Sequence, residues 1–395
     1  MAIVAADIKF KLPAAVSDAA SNGGRITNTT ISTFFPNITG AERGLGITRY
    51  RKGFLKNEQA SGGYTDLTLY NPKVYLESLS PGEDYYRLVA GTSTDVQSNA
   101  TGYTAWAGVG FLDADIAGGA ANFDVNAEHA SGFEDGATLV IADGTNREVI
   151  TLTSKSWVST KASLVTSGVV NAYARAYDTR TATTANATEI GSNLSTYLLN
   201  EHYGRLVRIK SGTGAGQIRR IASNTTNGVL TVTFPFATTP VVGDSEYEIL
   251  KTYVSQTVNL ADAVCALSGW AETSTLGTYN EATYPVLMYP VGTVDQTWTI
   301  TFSNATTYNV DGSSLGRVVT GQAIAANCTP SNVGSTSYYF NLRAAGWGGT
   351  WAGGDTIVFT TAGSYKGFWC KQVVTAGIAT CGDNTWNIRA IGDSV

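Results

Sequence analysis

Short runs in which polar and apolar residues alternate, each cut off by glycine, asparagine, proline or serine clusters, recur along the chain. This period-two pattern constrains the fold more than any other feature, because it places every second side chain on one face of a strand. The opening run Asp7-Ile8-Lys9-Phe10-Lys11-Leu12 alternates strictly and should end at Pro13, which cannot donate to a ladder. Similar alternation occupies residues 48–55, 66–70, 73–76 and 85–89. One short helical fragment is expected, around residues 39–44, without the repeats that would make a buried stripe. No alternating helix–strand order is present, so a parallel sheet is not expected. Glycine supplies 43 of the 395 residues and charged residues only 14%, against about 25% in average globular chains, a balance that favours strands and turns.

The pattern therefore predicts an all-β chain of antiparallel β-sandwiches, immunoglobulin-like or jelly-roll-like, with a small barrel-like unit in the middle. Three consecutive domains are expected: residues 1–112 as a first sandwich, 113–252 as a middle region and 253–395 as a third unit. The run Ala117-Gly118-Gly119-Ala120-Ala121 reads as the linker between the first two. Beyond it, residues 138–142 and 147–153 flank Asp143-Gly144, a strong hairpin signal. Residues 178–195, rich in threonine and alanine with few large apolar side chains, read as a long exposed connection. Four short strands then follow at tight spacing, 205–209, 218–222, 229–234 and 247–250, and suggest the barrel. The last unit holds six of the eight tryptophans, with strands expected at 296–302, 337–342, 356–360 and 386–390.

Charge excludes several classes of function. With 26 basic and 31 acidic side chains the net charge is −5, which gives no bulk support to a duplex nucleic-acid footprint. No basic start followed by an apolar core marks the N-terminus, and no window reaches ~20 apolar residues, so neither a targeting segment nor a membrane partner is expected. Cysteines fall at 265, 328, 370 and 381 without a CxxC pair, so no metal site or cofactor is expected from them. Cys370 and Cys381 are spaced to pair across two strands, although a reducing cytoplasm would keep them as thiols.

The remaining motifs each meet a plainer reading. Ser211-Gly212-Thr213-Gly214-Ala215-Gly216-Gln217 is glycine-rich enough to cradle a phosphate, but it lacks the Gly-Lys-Ser/Thr ending and a following helix, and it reads as a hairpin turn. Asp113, Asp115 and Asp124 partly mimic a calcium loop, yet Ala117 stands where an oxygen ligand is needed, and an acidic solvated linker is the alternative. His129 and His202 are the only histidines, which leaves little for general base catalysis, and His202 reads as a turn or edge residue. Carboxylates such as Glu134 and Asp135 are available for glycosidase chemistry, but such pairs are made only by the fold. Trp347 and Trp351, in Gly346-Trp347-Gly348-Gly349-Thr350-Trp351, read either as core plugs around a tight turn or as an interface or glycan contact.

Three segments carry a resemblance. The run from Phe35-Pro36-Asn37-Ile38-Thr39-Gly40 through Arg49-Tyr50-Arg51-Lys52, followed by Leu55-Lys56-Asn57, resembles the start of a family of tailed-bacteriophage virion proteins. Residues 342–359 are similar to the C-terminal part of that family, and the Gly-x-Gly-x-Gly-Gln-x-Arg-x-Ile run at 212–221 is similar to small β-units of phage structural proteins. The resemblance implies a non-enzymatic structural component of the virion, assembled in the bacterial host cytoplasm. Its expected partners are further copies of itself and other virion proteins, with a host surface glycan in the alternative reading of a receptor-binding appendage. A depolymerase-type glycosidase is disfavoured, because no repetitive β-helix coil is seen.

Overall fold

The computed structural model describes residues 3–58, 68–82, 84–127, 129, 131–333, 335, 337–378 and 386–393. The chain is nearly all β, arranged as several antiparallel sheets and one closed six-stranded barrel. Alternation predicts the strands well where at least one partner is local. Gln296–Phe302 buries Gln296, Trp298, Ile300 and Phe302 and turns its threonines outward, as period two requires. Asp143-Gly144 does turn a hairpin, between Thr138–Ala142 and Arg147–Val158: Asp143 Oδ1 accepts the Thr145 and Asn146 N–H groups at 2.9 and 2.7 Å, and Gly144 takes φ +86°. The expected helical fragment is Gly40–Leu45, closed at its start by reciprocal bonds between Thr39 and Glu42.

The first unit is a five-stranded sheet in the order Gly23–Thr30, Ile8–Ala15, Ile47–Asn57, Tyr365–Val374 and Tyr85–Gly91. A three-stranded sheet, Val258–Asn259, Tyr70–Leu76 and Ile388–Asp393, contributes to the same core, where Leu55, Val74, Leu76, Leu88, Phe368 and Cys370 meet. Pro13 does not end its strand. Past Lys11 that strand pairs on one side only, and the register shifts on both sides of Pro13, which is where proline is tolerated. Of the strand expected at 66–70, residues 66 and 67 lie outside the described residues.

The sheets do not follow the expected boundaries at 112 and 253. Tyr365–Val374 pairs with ten consecutive residues of Ile47–Asn57 and lies between that strand and Tyr85–Gly91, so the N-terminal sheet is completed from the C-terminal part of the chain. The barrel is displaced too: it consists of Lys161–Thr166, Asn122–Ala127, Val109–Leu112, Tyr253–Gln256, Thr138–Ala142 and Arg147–Val158, not of residues 205–250. The Gly/Ala run 117–121 is consequently no interdomain linker. It lies in the connection between two neighbouring barrel strands, with the Gly119 N–H donating to Val169 O at 2.7 Å.

Residues 206–250 form part of a seven-stranded sheet instead, and the tract at 178–195 supplies three of its strands, Ala176–Thr181, Thr184–Ala185 and Glu189–Gly191. Few large apolar residues were needed there. Threonine is a good strand former, Ala182 and Ile190 are the tract's buried share of a core filled mainly by Val207, Ile209, Leu230 and Tyr247, and Asp178 anchors the tract by accepting from Ser195 Oγ at 2.5 Å and Tyr197 OH at 2.8 Å. The tryptophan-rich unit is a five-stranded sheet, Ala266–Thr273, Thr356–Ala362, Gln296–Phe302, Thr307–Gly312 and Gly316–Ala323, with two short ribbons. In the expected strand at 337–342 only Phe340–Asn341 is ladder-paired, with Leu287–Met288. Among the described residues no helix is long and apolar enough to cross a membrane.

Candidate functional site

The residues singled out by sequence are mostly absorbed into the framework. Trp351 is 2% exposed and stacks on Phe302 at 4.3 Å with the ring planes 4° apart. Half-buried Trp347 meets Tyr279, Phe302 and Trp351 edge-on at 4.9–5.4 Å. The neighbouring glycines make room for these rings: a Cβ on Gly277 would lie 2.3 Å from Trp351, and one on Gly346 2.3 Å from Tyr279. The reading as an interface or glycan contact is corrected to core packing for Trp351, whose ring face lies on Phe302, while Trp347 is half-buried in the same cluster.

The acidic loop is likewise filled from within. Lys161 Nζ lies 2.8 Å from Asp113 and 2.6 Å from Asp124, Asn126 donates to Asp113 at 2.7 Å, and Asp115 accepts the Arg175 N–H at 2.7 Å. An ammonium thus holds the position that the calcium reading assigned to a metal, and its bonds to Asp113 and Asp124 raise the Lys161 pKa above its ordinary value. The glycine run does turn the hairpin between Leu206–Ser211 and Ile218–Asn224. Gly212, Gly214 and Gly216 all take positive φ, and the Thr213 N–H is occupied by the Asp244 carboxylate at 2.7 Å. Glu134 and Asp135 face Lys155, at 2.9 and 3.6 Å.

His129 stacks on Tyr85, and its Nδ1 is 3.1 Å from Ser131 Oγ. His202 lies in a turn, as expected, but is buried. Arg205 Nη1 is 2.6 Å from His202 Nδ1, and because a guanidinium only donates, the ring nitrogen is the acceptor and the imidazole is neutral. Burial lowers the His202 pKa, Arg205 lowers it further, and Glu201 and Asp178 oppose them. Cys265, Cys328 and Cys370 are buried, with burial pushing the Cys370 thiol well above its usual value. Cys381 lies outside the described residues, and with it the question of a Cys370–Cys381 pair.

What the sequence did not single out is a cleft of about 610 Å³ where the barrel, the seven-stranded sheet and the N-terminal unit meet. Five cationic side chains line it, Arg147, Arg205, Arg220, Lys251 and Arg389, against two carboxylates, Glu77 and Asp143. Both carboxylates are paired, Glu77 with Arg389 at 2.7 Å and Asp143 with Lys251 at 3.4 Å. Arg147 is exposed at the start of its strand, and neither it nor Arg205 meets a carboxylate among the described residues. The Arg205 guanidinium carbon lies over Tyr177, 3.5 Å from the ring centre, with Lys251 at 5.5 Å, while Arg220 Nη1 donates to Gly204 O at 2.7 Å. At the back, burial raises the Tyr253 hydroxyl pKa, with Arg220 pulling the other way. Three more cations than anions in one concave lining give a local positive field on an acidic chain. No signal could have found this cleft in advance, because its charges come from positions 147 to 389 and whole-chain arithmetic averages them away.

No protein-family model matches the chain, and no curated protein matches it in sequence.

Proposed function

We propose that this chain is a non-enzymatic structural protein of a tailed-bacteriophage virion, present in repeated copies that bind one another and other virion proteins. One observation carries the reading beyond the resemblance: Tyr365–Val374 runs through the N-terminal sheet as an inner strand, paired on both sides. Residues some three hundred positions apart are thereby joined in one ladder, and the distant parts of the chain cannot separate without breaking that strand's pairing on both sides. Such cross-linking of the chain by an inner strand suits a component that is assembled once and then persists outside a cell.

The ionisable groups support the same reading, since they brace strands. Glu248 accepts from Arg208 at 3.1 Å and is ion-paired with Arg175 at 2.9 Å, and Lys56 reaches across to Val291 O at 2.5 Å. The buried free thiol of Cys328 suits assembly in a reducing host cytoplasm. The experiment is quantitative mass spectrometry of gradient-purified particles. Peptides of this chain should hold a constant ratio to the other virion proteins across the particle peak, and their absence from that peak would contradict the proposal.

A further inference from the structure

The cleft continues into the most exposed apolar loop of the seven-stranded sheet. Between Glu189–Gly191 and Leu206–Ser211 the chain turns outward, leaving Leu194, Leu198, Leu199 and Tyr203 each at least 70% exposed. Tyr203 is followed directly by Gly204 and Arg205, both of which line the cleft. This exposure does not come from a loose segment. Asn224 Nδ2 donates to Leu198 O at 2.8 Å, Glu201 accepts the Leu198 N–H at 2.9 Å, and the His202 N–H donates to Asn224 Oδ1 at 2.8 Å. The side chains are held out by a fixed backbone, so covering them costs little ordering. Four large apolar groups within ten residues, on a chain otherwise rich in small polar ones, mark an interaction surface.

The geometry points to a docking surface for a polypeptide segment that is both apolar and acidic, supplied by a neighbouring virion protein. Its apolar side chains cover Leu198, Leu199 and Tyr203, and its carboxylates enter the cleft lined by Arg147 and Arg205. Charge complementarity selects the acidic part: the excess positive charge of the lining is matched by carboxylates, and Arg147 stands exposed with no described carboxylate beside it. The aliphatic part selects a peptide over an acidic saccharide. Sugars stack on open aromatic faces, whereas Leu194, Leu198 and Leu199 offer none, Arg205 covers the Tyr177 face, and Tyr203 is the one exposed ring of the loop. The identity of the neighbour rests on the virion reading above, but the chemistry of the surface can be tested on the isolated protein.

The test is fluorescence anisotropy of the purified full chain with a short labelled peptide carrying Leu-Leu-Glu-Glu, compared with its Leu-Leu-Gln-Gln counterpart. Arg147→Glu and Leu198→Asp serve as variants, because both side chains are exposed and the substitutions should leave the melting temperature unchanged. The glutamate peptide should bind roughly tenfold tighter than the glutamine peptide, each variant should weaken it about fivefold or more, and added salt should weaken it further. No binding of the glutamate peptide, equal affinity for both peptides or indifference to both variants overturns the proposal. Preferential binding of polygalacturonate overturns it in favour of an acidic saccharide. Self-association that Arg147→Glu abolishes overturns it in favour of a second copy of the chain. Absence of the chain from purified particles would leave the peptide result standing and remove only the named source of the segment.

Discussion

Strand Gln296–Phe302 buries Trp298, Ile300 and Phe302, whereas strand Ile47–Asn57 buries Arg49, Arg51, Lys52 and Lys56 along with Phe54 and Leu55. Each is an inner strand of a five-stranded antiparallel sheet, yet one core is aromatic and the other is threaded with cations. The second arrangement holds because the buried charges find acceptors. Lys52 Nζ donates to Gly24 O at 2.8 Å and Asp95 O at 2.9 Å, and its charge is paired with the Asp95 carboxylate. Asp95 also accepts from Tyr103 OH at 2.7 Å and Trp369 Nε1 at 2.9 Å, so one carboxylate ties the strand to both its loop and the C-terminal insertion. Arg51 Nη1 donates to Ser17 O and to Asp18, each at 2.7 Å. The difference teaches that buried charge here supplies location and register, while aromatic area supplies cohesion.

Trp298→Ala should have the largest effect. The side chain is fully buried, and its Nε1 donates to Thr361 Oγ1 at 2.8 Å, so truncation should cost about 3–5 kcal/mol. Denaturant melts should show this loss, with hydrogen exchange rising first in the tryptophan-rich unit.

Asp95→Asn should cost roughly 3 kcal/mol by leaving the Lys52 ammonium buried without its carboxylate. Adding Lys52→Met to it should restore much of that loss. If the double variant were as weak as the sum of the singles, the ion pair would not be the brace it is described as here.

Acid should separate the two regions next. Burial alone would raise the Asp95 pKa, but the hydrogen bonds from Lys52, Tyr103 and Trp369 and the charge of Lys52 hold it below its ordinary value. The stability it contributes is therefore fully present above the unfolded value of about 3.9 and is lost as pH falls through the lower folded value. Hydrogen exchange on stepwise acidification should open residues 47–57 and 365–374 before residues 296–302 and 356–362. Simultaneous opening would erase the contrast.

Thr39→Ala should have the smallest effect, about 1 kcal/mol, because it removes the capping bonds to Glu42 from a six-residue surface helix. A small drop in melting temperature should register it, with neither core affected.

The readable part of this architecture is the local part. Alternation in residues 296–302 and the Asp143-Gly144 turn are set by neighbours in sequence, and each forms as read. Tyr365–Val374 was not placed, because its pairing with Ile47–Asn57 is fixed by complementarity across some three hundred residues and leaves no local mark. Residues 178–195 carry no strand signal of their own, because a sheet margin needs few large side chains when the neighbouring strands' Val207, Ile209, Leu230 and Tyr247 fill the core. Trp347 and Trp351 share one cluster, but only packing such as Gly277 against the Trp351 ring shows which way that ring faces. The cationic cleft could not be read at all, since Arg147, Arg205 and Arg389 become neighbours only after three units have folded.

Electron cryomicroscopy of the intact particle tests the central claim most directly. The account predicts repeated density that fits these sheets and barrel, with the Arg147–Arg205 cleft and the Leu198–Leu199 loop turned toward a neighbouring protein. A complete map in which no density fits this chain would contradict it.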